Sequence, residues 1–141
     1  HLELIAPALE AIRAAPQPVL AAIQGSCVGG GFEIASVCDL RIAETGSRLG
    51  APVGKLGFPL ALPELAPVLR LLGPALTADL LLTGRLLSAE EALGAGVVQR
   101  VAGAGNLASV VQQVIDAVLA GSPLAARLNK RNLRMLVDQG G

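Results

Sequence analysis

Apolar residues return every three or four positions at the start of the chain. Leu2, Ile5, Leu9 and Ile12 share one face, with Glu3, Glu10 and Arg13 off it, which predicts an amphipathic helix. Pro16 and Pro18 close that helix, since proline cannot continue the ladder. Val19 to Ile23 is a short, continuously apolar run between Pro18 and Gly25, the pattern of a buried strand. After a glycine run, Phe32 to Val37 reads as a second helix and Leu40 to Ala43 as a second strand. Residues 44–62 carry Gly46, Gly50, Pro52, Gly54, Gly57 and Pro59 and read as loop. Pro63 begins a helix that runs to Leu72 and stops at Gly73, and Pro74 begins another through Leu82, ended by Gly84. Ser88 with Glu91 three residues on is a capping box. Val97 to Val101 reads as a third strand. Two amphipathic helices, about Asn106 to Leu119 and Leu124 to Val137, close the chain. Strands alternate with helices throughout, so the class is α/β with more helix than strand.

Composition sharpens this picture in two ways. The 141 residues suffice for one domain with its own core. Of them 52% are hydrophobic and only 16% charged, and Phe32 and Phe58 are the sole aromatic residues. The core must therefore be aliphatic, and so apolar a chain is expected to have faces that another chain or segment covers. Aggregation or obligate oligomerisation is the expected behaviour of these residues expressed alone.

Eleven basic and eleven acidic residues give zero net charge, so no basic stripe marks a nucleic-acid partner. No uninterrupted apolar run is long enough for a membrane span, and no basic-then-apolar leader is visible. Two cysteines, Cys27 and Cys38, do not make a disulfide framework, which points to a cytoplasmic location. The chain opens on His1 rather than Met and is expected to be a piece of a longer protein.

The candidate chemistry lies in "GSCVGGGFEIASVCD", Gly25 to Asp39. A strand, a glycine turn and a helix expose backbone N–H groups that lack partners within the helix and attract an anion. Glycine lets a ligand approach that backbone closely. The phosphate readings fail in detail. No Gly-Lys-Ser/Thr follows, and the dinucleotide spacing breaks at Cys27 when counted from Gly25 and at Ile34 when counted from Gly29. An oxyanion site fits better, because Glu33 stands within a helical turn of the donors. The plainer alternative is a tight crossing of helix and strand that merely needs small residues. Glu33 weighs against it, because a buried carboxylate is costly unless it is paired or functional.

Taken together, "PVLAAIQGSCVGGGFEIASVCDLRIA" resembles the signature of the crotonase superfamily, the enoyl-CoA hydratase/isomerase family. "RLGAPVGKLG", "TADLLLTGRLLSAEEALGAGVVQRV" and "PLAARLNKRNL" continue the likeness over essentially the whole chain. The resemblance implies a crotonase-like ββα spiral core, present here in part (residues 1–105), with C-terminal helices (residues 106–141) in a single partial domain. It implies an acyl-CoA thioester as substrate, with coenzyme A carried as part of that substrate and no separate cofactor or metal, and a homo-oligomer (trimer or hexamer). On the matching positions, Gly30 N–H is an oxyanion donor and Glu33 the acid/base carboxylate. Gly29, Gly31, Val53 and Phe58 fall where the substrate binds.

Three departures qualify what the resemblance implies. Family members are roughly twice as long, and the absent N-terminal half supplies the other oxyanion donor. Hydratases carry a second glutamate where "GAPVG" has Val53. The family's Pro-Gly-x-Gly-Gly stretch is replaced by "FPLALPE", which brings Glu64 nearby without giving it a role. The family's last helix is also expected to be cut short after Gly141. The alternative function is a catalytically impaired or non-catalytic CoA-binding or assembly subunit.

Other chemistry is weaker. Cys27 reads as a small core residue. Ser26 would need a base, and His1 is the sole histidine. Asp39 reads as a partner for backbone donors at a helix–strand junction. Lys55, Lys130 and Arg131 could reach the coenzyme's phosphates or simply stay solvated.

Overall fold

The computed structural model describes residues 2–53, 57 and 59–140. The first helix, α1 (Leu2–Ala14), ends just before Pro16, as its pattern predicts. Two strands and a helix follow, β1 (Leu20–Ile23), β2 (Ser26–Val28) and α2 (Gly30–Val37). The same order repeats with β3 (Leu40–Glu44), β4 (Arg48–Gly50) and α3 (Leu62–Leu72). The two units stack in parallel. Leu20 pairs with Leu40 through to Ile23 with Ala43, and Ser26 pairs with Arg48 through to Val28 with Gly50. This is the ββα repeat expected from the resemblance.

After α4 (Pro74–Thr83), the short strand β5 (Leu87–Ser88) joins β4 antiparallel. Helix α5 (Ala89–Gly94) then leads to β6 (Arg100–Ala102), which pairs with β3 in parallel. The result is two three-stranded sheets, β1-β3-β6 and β2-β4-β5. Ile23, Phe32, Leu49, Val68, Leu80, Leu87, Val97 and Val98 form an aliphatic core with one phenylalanine between the sheets and helices. The last two helices, α6 (Leu107–Leu119) and α7 (Pro123–Gly140), lie outside it. Leu119, Leu124, Leu133 and Leu136 are exposed there, in keeping with the uncovered faces expected from composition.

Three differences from the sequence reading have physical causes. β2 and β4 fall in stretches that read as turn and loop. Each has only three residues and carries turn formers such as Ser26 and Gly50, so their pairing comes from the stack rather than from local propensity. The third strand is shorter and later than Val97 to Val101. Val97 and Val98 N–H groups donate back to the Ala92 carbonyl, and the Val97 carbonyl accepts from Arg41 Nε at 2.6 Å. That leaves the ladder to begin at Arg100. Finally, Lys130 is neither solvated nor free for a phosphate. It is 7% exposed, with Nζ 2.8 Å from Asp39 Oδ2 and 2.8 Å from the Gln17 carbonyl. It thereby ties α7 to the start of β1. Asp39 accepts from Val19 N–H at 2.7 Å, the junction role read from the sequence.

The capping box is present in both directions. Glu91 N–H donates to Ser88 Oγ and Ser88 N–H donates to Glu91 Oε1, both at 3.0 Å. Ser88→Ala removes one of these bonds at a helix start next to β5. We expect it to lower stability by about 1 kcal/mol, read as a lower denaturant midpoint at unchanged slope. An unchanged midpoint would show that the box is not holding α5.

Candidate functional site

The site is built around α2. Gly29 precedes it with φ 56° and ψ −128°, a conformation strained for any residue with a Cβ. Its carbonyl accepts from Glu33 N–H at 3.0 Å, so the helix starts at Gly30, two residues earlier than its apolar pattern indicates. Gly30 and Gly31 are then the first helical residues, whose N–H groups have no intrahelical acceptor. A Cβ at Gly31 would meet nothing within 4 Å, and one at Gly30 only Ile5 Cδ1 at 3.8 Å. Among the described residues, then, nothing presses on these two glycines, which weighs against the tight-crossing alternative.

A groove of about 430 Å³ runs along β1, β2 and one face of α2. Gly31, Ile34, Ala35 and Cys38 line its helical side. Glu33 lies on another face of α2 and is 1% exposed. Its Oε2 has no hydrogen-bond partner. Its neighbour is Glu64 in the first turn of α3, 4% exposed, and the two side chains hydrogen-bond to each other. Burial, then the charge of Glu64, then that hydrogen bond push the Glu33 carboxyl from its ordinary 4.5 up to about 7. Near neutral pH such a group can both give and take a proton.

Glu64 is the residue that the sequence reading left without a role. An acid in the first turn of a helix is ordinarily explained by the helix dipole. The usable signal was spacing, because Glu64, Pro67 and Val68 share the inward face at i, i+3 and i+4 and all three are buried.

Val53 is half-buried just past β4, its N–H donating to the Ala51 carbonyl at 2.8 Å. Its aliphatic side chain has no proton to transfer. Phe58 and Lys55 lie outside the described residues. Cys27 is half-buried, and burial and the nearby Cys38 push its thiol up to about 11, so it stays protonated and is no nucleophile at neutral pH. Ser26 is exposed on β2, and His1 lies outside the described residues. Among the described residues, no cluster of three or more His, Cys, Asp or Glu could hold a metal ion. No single helix there is long and apolar enough to cross a membrane.

Comparison with known proteins converges on one family. The enoyl-CoA hydratase/isomerase family model matches residues 3–139. The peroxisomal bifunctional enzyme of Danio rerio is 41% identical over 123 residues, which cover 87% of this chain and 17% of that protein. The crotonyl-CoA hydratase of Syntrophomonas wolfei is 35% identical over 119 residues, 84% of this chain and 46% of that protein. A solved enoyl-CoA hydratase/carnithine racemase from Magnetospirillum magneticum matches with a TM-score of 0.88 at 41% identity, over 92% of this chain and 48% of that one. The chain thus spans about half the length of the last two proteins. The likeness bears out the crotonase-like α/β fold expected from the sequence.

The raised Glu33 value has a consequence for stability. Between about 4.5 and about 7 the folded state holds a proton on Glu33 that the unfolded chain has released. The stability this group contributes is complete below about 4.5 and is lost as pH rises through about 7. Unfolding free energy is therefore expected to fall from about pH 4.5 to about pH 7, more steeply than in Glu33→Gln. Parallel pH profiles for the two proteins would contradict the buried, raised carboxyl.

Proposed function

The chain belongs to the enoyl-CoA hydratase/isomerase family, and from that premise we propose that it processes acyl thioesters of coenzyme A by stabilising a thioester enolate. The observation that carries this reading is the helix start at Gly30, with Glu33 buried one turn on and raised to near neutrality. As electrons move from the reacting carbons toward the thioester oxygen, the Gly30 N–H donates to that oxygen. A preorganised donor of this kind is worth about 2.7–4 kcal/mol in the transition state.

Glu33 then manages the proton. In hydration, the water oxygen bonds to the β-carbon, the water's proton passes to a carboxylate, and a proton reaches the α-carbon. In isomerisation, Glu33 takes a proton from one carbon and returns it two carbons away, so no water is consumed. Gly29, Gly31 and Val53 belong to the acyl-binding surface in this reading. Coenzyme A arrives as part of the substrate. The exposed leucines of α6 and α7 support assembly as a homo-oligomer, trimer or hexamer. The free Cys27 and Cys38 suit a reducing compartment such as the cytoplasm.

A second reading rests on Val53. With no carboxylate there, the protein would bind acyl-CoA without turning it over, as an assembly or binding subunit. Both readings are tested on the protein expressed from its complete reading frame, with a short enoyl-CoA. We expect hydration or double-bond migration by the wild type and a loss of about 10²–10⁴-fold in Glu33→Gln. Equal rates in the two proteins would remove Glu33 from the mechanism. Acyl-CoA binding with no turnover in the wild type would favour the second reading.

A further inference from the structure

Resting on the reading above, we propose that Glu64 is a positioning residue for the proton-transfer step. From the facing helix its carboxyl group hydrogen-bonds Glu33, fixes that side chain and keeps a proton on it for delivery to an acyl-CoA carbon. Three observations place it there. Glu33 and Glu64 sit on α2 and α3, which pack directly on one another. Both are more than nine-tenths buried and their side chains hydrogen-bond. Glu33 Oε2 is left without a hydrogen-bond partner, a buried polar atom that structure alone would have no reason to keep.

Two carboxyl groups in contact cannot both be ionised at low cost in a dry setting. A proton between them satisfies the hydrogen bond, since one carboxyl must donate for the other to accept. The other charged groups around α2 do not replace this arrangement. On α1 the described charged side chains are Glu10 and Arg13, with Arg13 paired to Glu10 and Asp138. On α3 the remaining charge is the exposed Arg70, and β2 offers only the protonated thiol of Cys27. Arg41 engages the Ala35 and Cys38 carbonyls at the far end of α2. Among the described residues, Glu64 is the group that, after burial, raises the Glu33 carboxyl.

The step balances. The carboxylic acid of Glu33 gives its proton to the α-carbon as the enolate electron pair forms the new C–H bond. In hydration the resulting carboxylate regains a proton from the water that adds at the β-carbon; in isomerisation the order is reversed, the ionised Glu33 first taking the proton from one carbon and, now the acid, returning it at the other.

The test uses the protein from its complete reading frame, labelled with ¹³C at the glutamate carboxyl carbons. The Glu33 resonance, identified by its loss in Glu33→Gln, is followed against pH. In the wild type it should titrate near neutrality. In Glu64→Gln its midpoint should fall by about one pH unit or more, and the limb of the turnover profile governed by Glu33 should move to lower pH by the same amount. A residue that merely fills space would change stability or the height of that profile without displacing it. Glu64→Asp keeps a carboxyl and should restore part of the wild-type midpoint, which covers the case in which Glu64→Gln does not fold. A wild-type Glu33 midpoint in the ordinary carboxylate range, or one unmoved by Glu64→Gln, overturns the proposal. If Glu33→Gln abolishes turnover while Glu64→Gln leaves both profiles in place, only the role of Glu64 falls. Full turnover in Glu33→Gln overturns the role of Glu33 and this proposal together.

Discussion

The placement of α2 depends on a buried guanidinium. Arg41 leaves β3 and turns back beneath the helix. Its Nε donates to the Val97 carbonyl at 2.6 Å, and its Nη1 to the Ala35 and Cys38 carbonyls at 3.1 and 2.6 Å. No carboxylate takes part in these bonds. The partners are backbone oxygens, two of them at the C-terminal end of α2, where the helix dipole favours a cation. Burial pulls the guanidinium below its ordinary value, yet it starts so high that the charge persists. One side chain thus joins β3 to the end of α2 and to the turn before β6. The Arg41 N–H donating to Gln99 Oε1 at 2.7 Å closes the same circuit through the backbone.

With its C-terminal end fixed, the opposite end of the helix is free for chemistry. An eight-residue helix is too short to be stable alone, so α2 exists because it packs on α1, α3 and β2. That packing sets the directions of its faces. Gly31, Ile34, Ala35 and Cys38 look into the groove along β1 and β2, while Phe32 enters the core and Glu33 meets α3. The positive-φ Gly29 lets the chain enter the helix at Gly30, so the first unpaired N–H groups lie within a turn of the carboxylate. Bare donors at a helix start and an acid raised by burial are both consequences of where this one short helix is held.

Much of this was legible in the sequence, and the limits of the reading follow from the physics. Periodicity and proline placed α1, α3 and α4 within a residue or two, because these helices carry their own stop signals at Pro16, Gly73 and Gly84. The capping box at Ser88 needed no tertiary information, since both its bonds are local. β2 and β4 could not be read, because three-residue strands rich in turn formers are specified by the strands they stack on. Lys130 was misread as a surface cation. Its partners, Asp39 and the Gln17 carbonyl, are more than ninety positions away along the chain. Glu33 was found because an acid in an apolar helix beside glycines is conspicuous. Glu64 was passed over because an acid opening a helix is ordinary, and only the shared face with Pro67 and Val68 marks it as buried.

The two carboxylates also bear on what Val53 means. A glutamate at that position would stand just past β4, where the Val53 N–H donates to the Ala51 carbonyl. Glu64 stands on a helix whose Pro67 and Val68 are buried in the same direction, so its carboxyl is held by packing rather than by loop geometry. Held that way against Glu33, it cannot relax from the repulsion by swinging into water. A proton held in the pair lowers that repulsion. Substituting valine at 53 therefore need not leave Glu33 as an isolated base. On the proposal above, the second carboxyl meets it from the facing helix, and proton exchange would follow from how α2 and α3 pack.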